Sequence, residues 1–297
     1  MKILRPTAFQ DSMLISSNAI EAYAAWSAGT TYAAAARVDY GSSYYQSIAG
    51  GNIGNQPDVS PTFWTRLGSD NKHAMFDEQV NTQTVQASPL TVVLATGVID
   101  SIFFAGLEAV SIQVVVRDGL AGPIVYDQTQ YLDGSIIFDW YQYFFFDPTF
   151  LRRQALFIGI PPFASSHVTV TVLNGSGDSK VGVMVFGATA QLGTTEFGAS
   201  SGIIDYSVKE TDDFGNTTFL RRPFSKRMTA RVWVDNANLN RTQRILYDVR
   251  STPSVWIGTD DPIAEEALVM YGFYKDFSTD VAYAPTSFCS LEIEGLI

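Results

Sequence analysis

The residues Val110-Ser-Ile-Gln-Val-Val-Val116 alternate between apolar and polar side chains along most of their length. A second stretch, Val168-Thr-Val-Thr-Val172, alternates throughout. Because successive side chains of a β-strand point to opposite faces, a period of two predicts strands. The turn-forming pairs Asp118-Gly119 and Asn174-Gly175 follow these stretches. Short strands at this spacing predict a β-sandwich or jelly roll for residues 74–192.

Inside this region lies an unusual aromatic run, Trp140-Tyr-Gln-Tyr-Phe-Phe-Phe146. Interpreted as a strand, it carries aromatic side chains on both faces. The sandwich core would cover one face, and a neighbouring domain or subunit would cover the other.

The last third of the chain predicts a sheet with one helix. Two strands, Ile203–Glu210 and Thr217–Arg222, flank the turn-rich residues 212–216, so a hairpin is expected. Apolar side chains recur at period two from Met228 to Val234, which predicts another strand. Helical spacing follows at Leu239, Thr242, Leu246 and Val249. Three further strands are predicted at residues 254–258, 268–276 and 287–295.

The predicted fold is therefore mainly β and is divided into five segments. Residues 1–18 form a polar N-terminal arm, and residues 19–73 form a small aromatic β module. Residues 74–192 form the β-sandwich. The Gly/Ser/Thr-rich residues 193–202 form a linker, and residues 203–297 form a C-terminal α+β domain.

Composition narrows the range of partners. Hydrophobic residues make up 46% of the chain and charged residues 16%, against about 25% charged residues in an average globular domain. Intrinsic disorder is excluded, because it needs low hydrophobicity and high charge. The net charge of −11 disfavours nucleic acid. No apolar run reaches the roughly 20 residues of a membrane-spanning helix, so membrane insertion is not expected.

The sequence carries no recognisable catalytic or metal-binding motif. It has one cysteine, Cys289, and two histidines, His73 and His167. The patterns HExxH, CxxC and GxxxxGK[ST] are missing, and the one match to GxSxG, residues 198–202, lies in the Gly/Ser/Thr-rich stretch that predicts a linker. We therefore expect neither an enzyme nor a metal or cofactor. Cys289 lies in an apolar run and is predicted to be a core residue.

The module at residues 19–68 resembles the small aromatic, chitin-binding type of carbohydrate-binding module. The resemblance rests on Trp26-Ser-Ala-Gly-Thr-Thr-Tyr32, on Val38-Asp-Tyr-Gly-Ser-Ser-Tyr44-Tyr-Gln-Ser47, and on Ser60-Pro-Thr-Phe-Trp64. It implies short strands that display Trp and Tyr rings, on which a sugar can stack. The residues that would bind carbohydrate are Trp26, Tyr32, Tyr44 and Trp64. A module this small also needs aromatic side chains as its core, so a structural role for these residues stays open.

Nearly the whole chain resembles a group of bacteriophage tail proteins. The segments that carry this likeness include Gly202-Ile-Ile-Asp-Tyr-Ser-Val-Lys209, Arg222-Pro-Phe-Ser-Lys-Arg-Met228 and Cys289-Ser-Leu-Glu-Ile-Glu-Gly295. The resemblance implies a virion structural protein of the tail tip or baseplate, synthesised in the cytoplasm of the bacterial host. Residues 74–192 also resemble a galactose-binding-type jelly roll.

Two functions follow as expectations. In the first, symmetric copies, a trimer or a hexamer, assemble with other tail proteins. The predicted interface lies in the C-terminal hairpin, because exposed strand edges are ready pairing surfaces; its residues are Tyr206, Phe219, Arg221, Arg222 and Phe224. In the alternative, the chain is the host-surface carbohydrate- or receptor-binding protein of the virion.

Overall fold

The computed structural model describes residues 1–132, 140–145, 151–211, 213–259, 265–281 and 283–296. Among the described residues, strands hold 51% and helices 9%, which confirms the predicted mainly β class. In the described part of the chain, no helix is long and apolar enough to cross a membrane.

The strands, in chain order, are β1 (Lys2–Pro6), β2 (Leu14–Ser17), β3 (Arg37–Tyr40), β4 (Ser43–Ser47), β5 (Trp64–Ser69), β6 (Thr84–Ala87), β7 (Leu90–Ala95), β8 (Ser101–Ala105), β9 (Ser111–Asp118), β10 (Ile124–Tyr131), β11 (Gln154–Ile158), β12 (Ser166–Leu173), β13 (Asp178–Val181), β14 (Val183–Gln191), β15 (Thr194–Thr195), β16 (Ser200–Asp205), β17 (Val208–Thr211), β18 (Thr217–Leu220), β19 (Phe224–Asp235), β20 (Ser254–Ile257), β21 (Val269–Asp280) and β22 (Thr286–Gly295). The helices are α1 (Trp140–Phe145), α2 (Leu239–Asp248) and α3 (Glu265–Leu268).

The chain divides into two compact units that are both discontinuous in sequence. The first unit comprises Met1–Ala8, Ile99–Phe103 and Val185–Ile297. The second unit comprises Phe9–Val98 and Phe104–Met184.

An antiparallel sheet forms the first unit, with the strand order β14-β1-β20-β21-β22-β19-β15. The strand predicted at residues 228–234 is confirmed within β19, whose alternate residues from Met228 to Val234 are buried. The predicted helix is confirmed as α2, which buries Ile245 and Leu246. Both residues belong to a core cluster that also contains Trp256, Cys289 and Leu291. Cys289 is therefore the core residue that the sequence predicted.

The predicted N-terminal arm differs from the structure. Residues 2–6 form β1, which lies between β14 and β20, and Ile3 and Leu4 are completely buried. Residues 14–17 form β2, an edge strand of the second unit. The apolar pair at positions 3 and 4 explains the difference, because a strand covered on both faces does not alternate in polarity.

The predicted linker at residues 193–202 also differs from the structure. It contains β15 and the start of β16, and both strands pair with β19. Its small polar residues are tolerated because these two strands lie at the edge of the sheet, where few side chains need a core.

The second unit holds a five-stranded antiparallel sheet with the order β10-β9-β12-β7-β2. Both stretches that predicted strands lie in it: residues 111–116 belong to β9 and residues 168–172 belong to β12. Strands β6 and β13 form a separate pair. The small module is a three-stranded sheet with the order β3-β4-β5.

The aromatic run does not form the predicted strand. Its described part, Trp140–Phe145, is the helix α1, and Phe146 lies outside the described residues. Trp140 and Phe144 are one helical turn apart, and their rings stack with centroids 6.3 Å apart. Trp140, Tyr141 and Phe144 are exposed in the single chain, so the cover by a neighbouring subunit stays a prediction.

Candidate functional site

A long β-ribbon is built from the edge of the first unit. Residues 200–205 pair with residues 224–229, from Ser200 opposite Thr229 to Asp205 opposite Phe224. The same two chain segments then pair again as β17 and β18, from Val208 opposite Leu220 to Thr211 opposite Thr217. We call residues 200–229 the ribbon and residues 213–216 its tip. The hairpin predicted from the sequence is thus confirmed, with Asp212 outside the described residues.

The outer part of the ribbon is exposed to solvent. Every described residue from Lys209 to Phe224 is exposed. Phe214 in the tip is 91% exposed, and Phe219 on β18 is 71% exposed. Strands β17 and β18 form a two-stranded sheet of their own, apart from the sheet that contains β19. The hairpin therefore extends beyond the body of the first unit.

Hydrogen bonds hold the ribbon at the point where its inner and outer halves meet. The backbone N–H of Ser207 donates to Asp205 Oδ1 at 2.9 Å. The hydroxyl of Ser207 accepts the backbone N–H of Arg222 at 3.0 Å. The hydroxyl of Tyr206 lies 3.0 Å from Glu294 Oε1 on β22. These bonds fix the direction of the outer half, so the ribbon is a defined projection.

The structure brings the five predicted interface residues together on this ribbon. Tyr206 lies at the junction, and Phe219 lies on β18 with the Lys209 ammonium 5.9 Å from its ring centre. Arg221 and Arg222 lie between β18 and β19, and both are exposed. Phe224, which opens β19, is also exposed.

The four residues predicted to bind carbohydrate do not form one open platform. Trp64 is only 2% exposed; its indole N–H donates to the Asn55 carbonyl at 2.8 Å, and its ring meets Tyr32 edge to face at 5.2 Å. Tyr44 uses its hydroxyl to donate to Glu21 Oε2 at 2.6 Å. Trp26 packs edge to face on Tyr40. Trp64 is therefore a core residue of the small module rather than a ring that a sugar can reach.

A carboxylate cluster at residues Glu21, Asp39 and Asp70 is the functional-group constellation that sequence reasoning missed. One carboxylate oxygen from each residue lies within 4.8 Å of the other two. Asp70 is buried, and its Oδ1 atom forms a 2.6 Å hydrogen bond with His73 Nδ1. Lys72 Nζ lies 3.6 Å from Glu21 Oε1. Hard divalent cations prefer oxygen ligands. Among the described residues, these three carboxylates are the group that could bind such a cation.

The surroundings of this cluster raise the pKa values of Asp39 and of the neighbouring His73. Burial, followed by the charges of Asp70 and Glu21, raises the pKa of Asp39 to about 6. Its Oδ1 atom is buried and has no hydrogen-bond partner among the residues that the structure describes. The hydrogen bond from His73 to Asp70 raises the pKa of His73 above its usual value of 6.5.

We expect the small module to lose stability as pH rises from 4 to 7. The folded state keeps the Asp39 proton up to pH 6, whereas the unfolded chain loses it near pH 4, so rising pH favours unfolding. The His73 contribution is complete below pH 6.5 and is lost as pH rises through its higher folded pKa. Asp39→Asn should therefore stabilise the module at pH 7.5 by on the order of 1 kcal/mol, after allowance for partial exposure, and should change little at pH 4.

Urea unfolding of the full chain at both pH values provides the measurement. Fluorine NMR of protein labelled with 5-fluorotryptophan follows the Trp64 signal, which reports on the module alone. Asp58→Asn is the control, because Asp58 is an exposed carboxylate in the same module. Equal urea midpoints for the wild type and Asp39→Asn at pH 7.5 would contradict the assigned pKa shift.

A surface cavity of about 770 Å³ lies at the other end of β19 from the ribbon. Its lining includes the apolar residues Leu192 and Val234 and the aromatic residues Trp233 and Phe197. Asp235 and Arg241 place charges of both signs around it. The volume is within the range of cavities that bind ligands in proteins.

Comparison with protein-family models and with curated proteins found no match to this chain. The two resemblances drawn from the sequence therefore stay predictions.

Proposed function

We propose that this chain is a structural subunit of a bacteriophage tail tip or baseplate, whose symmetric copies associate through the projecting ribbon. The observation that carries the proposal is the outer hairpin, β17–β18, in which the described residues from Lys209 to Leu220 are all exposed. The phage assignment rests in addition on the resemblance of the sequence to tail proteins.

An isolated two-stranded hairpin is marginally stable in water, because it cannot bury enough apolar surface. This hairpin nevertheless presents Phe214, Phe219 and Leu220 to solvent. In the part of the chain that the structure describes, no third strand pairs with either outer edge of this hairpin. Exposed edges and apolar side chains together are the features by which strands pair with another chain. An assembly role accounts for both features at once.

The partners that fit this surface are further copies of the chain and other proteins of the same tail. Closed symmetry makes a trimer or a hexamer the expected assembly. The place of action would be the virion tail, after synthesis in the cytoplasm of the bacterial host. The low content of charged residues, 16%, is consistent with a chain that buries surface in an assembly.

We expect Phe219→Ser combined with Leu220→Ser to convert the assembly into monomers. Each substitution removes an apolar side chain that a neighbouring copy would bury, at a cost of about 1.5–3 kcal/mol per side chain. Two such losses weaken association by at least about 100-fold. Multi-angle light scattering of the full-length protein measures the change in mass.

The matched control is Ile20→Ser combined with Val59→Ser. Ile20 is 73% and Val59 is 69% exposed, and both belong to the second unit, whereas the ribbon belongs to the first. The control variant should keep the mass of the wild type. An assembly that survives the ribbon substitutions with unchanged mass would rule out the ribbon as its contact.

A further inference from the structure

A polar pocket of about 300 Å³ lies within the second unit. Its wall is formed by residues 9 and 11, which precede the small module, by residues 42 and 66–69 of the module, and by residues 73–79, which follow it. The volume is at the lower end of the range for ligand pockets. The fold therefore brings three separate segments together around a space about the size of one amino acid.

Arg66 contributes a cation to this wall, and most of its hydrogen-bond donors are unused. Its Nε atom donates to the Ser43 hydroxyl at 2.9 Å. No carboxylate among the described residues forms an ion pair with its guanidinium, although the chain has 30 acidic and 19 basic residues. The Nε bond restrains the planar group and leaves both Nη atoms available. Such a fork binds a carboxylate through two parallel hydrogen bonds.

Two carboxylates in the wall have different surroundings. Asp77 is already engaged, because its oxygens accept the Thr82 hydroxyl at 2.7 and 2.8 Å and the Gln79 backbone N–H at 2.9 Å. The Asp11 side chain is 71% exposed, and its ion contact within the described chain is to His73 Nε2 at 4.0 Å. That distance is too long for a hydrogen bond. Asp11 therefore keeps acceptor sites for a ligand that donates hydrogen bonds.

Two phenylalanine rings form the apolar part of the wall. Phe9 and Phe76 stack with their ring centroids 4.1 Å apart and an interplanar angle of 1°. Both are half-buried, and both line the pocket. Aromatic rings provide a large contact area for an apolar group and attract an ammonium group over their faces.

We propose that this pocket binds a small zwitterion, with its carboxylate on the Arg66 fork, its ammonium group at Asp11 and its apolar body against Phe9 and Phe76. A ligand with a negative charge alone would meet the two carboxylates of the wall, and a cation alone would leave the Arg66 fork unfilled. A free amino acid carries both charges and an apolar body. This inference goes beyond the proposed function and does not depend on assembly.

Phenylalanine is the test ligand, because it combines both charges with an aromatic ring. Saturation-transfer-difference NMR on the full-length protein should show saturable binding of at least one enantiomer, with a Kd on the order of 1 mM. Hydrocinnamate lacks the ammonium group, and phenethylamine lacks the carboxylate. We expect each of them to bind at least about 10-fold more weakly, because each loses a charge-assisted contact.

Two substitutions test the assigned contacts. Arg66→Gln removes the fork and Asp11→Asn removes the acceptor charge; both side chains are exposed, so both variants should fold as the wild type does. Each should weaken phenylalanine binding at least about 10-fold. Asp11→Asn should also abolish the preference for phenylalanine over hydrocinnamate, which a general disturbance of the pocket would not do.

Arg37→Gln and Asp58→Asn are the matched controls, because each removes an exposed charge of the same sign elsewhere in the small module. Both should bind phenylalanine as the wild type does. Circular dichroism checks the fold of all four variants.

The proposal would be overturned if neither enantiomer of phenylalanine gave a saturable signal up to ten times the expected Kd. Hydrocinnamate, phenethylamine or the neutral sugar glucose binding as tightly as phenylalanine would also overturn it, as would unchanged affinity in Arg66→Gln. None of these results changes the mass of the protein in solution, so the assembly proposal is tested separately.

Discussion

Ile3→Asp should abolish the fold of the first unit. Ile3 is completely buried in β1, with Ala190 of β14 on one side and Trp256 of β20 on the other. The core cluster around Ile3 consists of hydrophobic residues. Burying a carboxylate among them costs about 4 kcal/mol or more. Hydrogen exchange of the full-length protein should show lost amide protection in β1, β14 and β20.

Arg5→Asp is the matched control for this change. It introduces the same charge into the same strand, but at a position where the side chain is exposed. We expect its exchange pattern to equal that of the wild type. If Ile3→Asp also left β14 and β20 protected, residues 2–6 would be an arm, as the sequence suggested, and the central position of β1 would be refuted.

Trp64→Ala should unfold the small module and leave the first unit intact. Trp64 is the largest buried side chain of the module. The substitution removes its hydrogen bond to the Asn55 carbonyl and its ring contact with Tyr32. Replacing a buried Trp by Ala typically costs about 3–5 kcal/mol, which a three-stranded sheet is poorly able to absorb. Hydrogen exchange should show lost protection in β3, β4 and β5, with β19 and β22 unchanged.

Phe63→Ala serves as the comparison, because Phe63 is the neighbouring aromatic residue and is exposed. It should leave the protection of β3, β4 and β5 as it is. A Trp64→Ala protein with wild-type protection in these strands would mean that Trp64 is not a core residue, and its role as a sugar platform would have to be considered again.

Strands with one buried face were predictable from the sequence, because alternation is visible in the residues themselves. This holds for β9, β12 and β19, and helical spacing likewise predicted α2. Elements without such a pattern were not found. Strand β1 buries residues on both faces, and β15 and residues 200–202 of β16 are small polar residues or glycine at the edge of the sheet. In both cases the partner strand decides the structure, and local propensity does not.

In the aromatic run, the sequence predicted a strand where the structure has a helix. Its residue types favour strands, yet Trp140–Phe145 are helical. Period two and period 3.6 cannot be distinguished when nearly every residue in a short stretch is aromatic.

The candidate sites were predictable only in part. The hairpin that forms the ribbon follows from turn residues between two strand-like stretches, so its five interface residues were found. The carboxylates Glu21, Asp39 and Asp70 were missed because they are spread over fifty residues. The three carboxylates are brought together by the pairing of β3 with β4, by the bridge between Ala25 and Asp39, and by hydrogen bonds from Asn71 N–H to Glu21 Oε2 and from Asp70 N–H to the Ser42 carbonyl. The cavity likewise depends on pairing between β15 and β19, which the sequence presented as a linker.

The mass of the full-length protein in solution tests the assembly account most directly. Light scattering across a hundredfold range of concentration should give one mass, three or six times that of the 32.6 kDa chain. A mass that stays at 32.6 kDa over the whole range would contradict self-assembly through the ribbon.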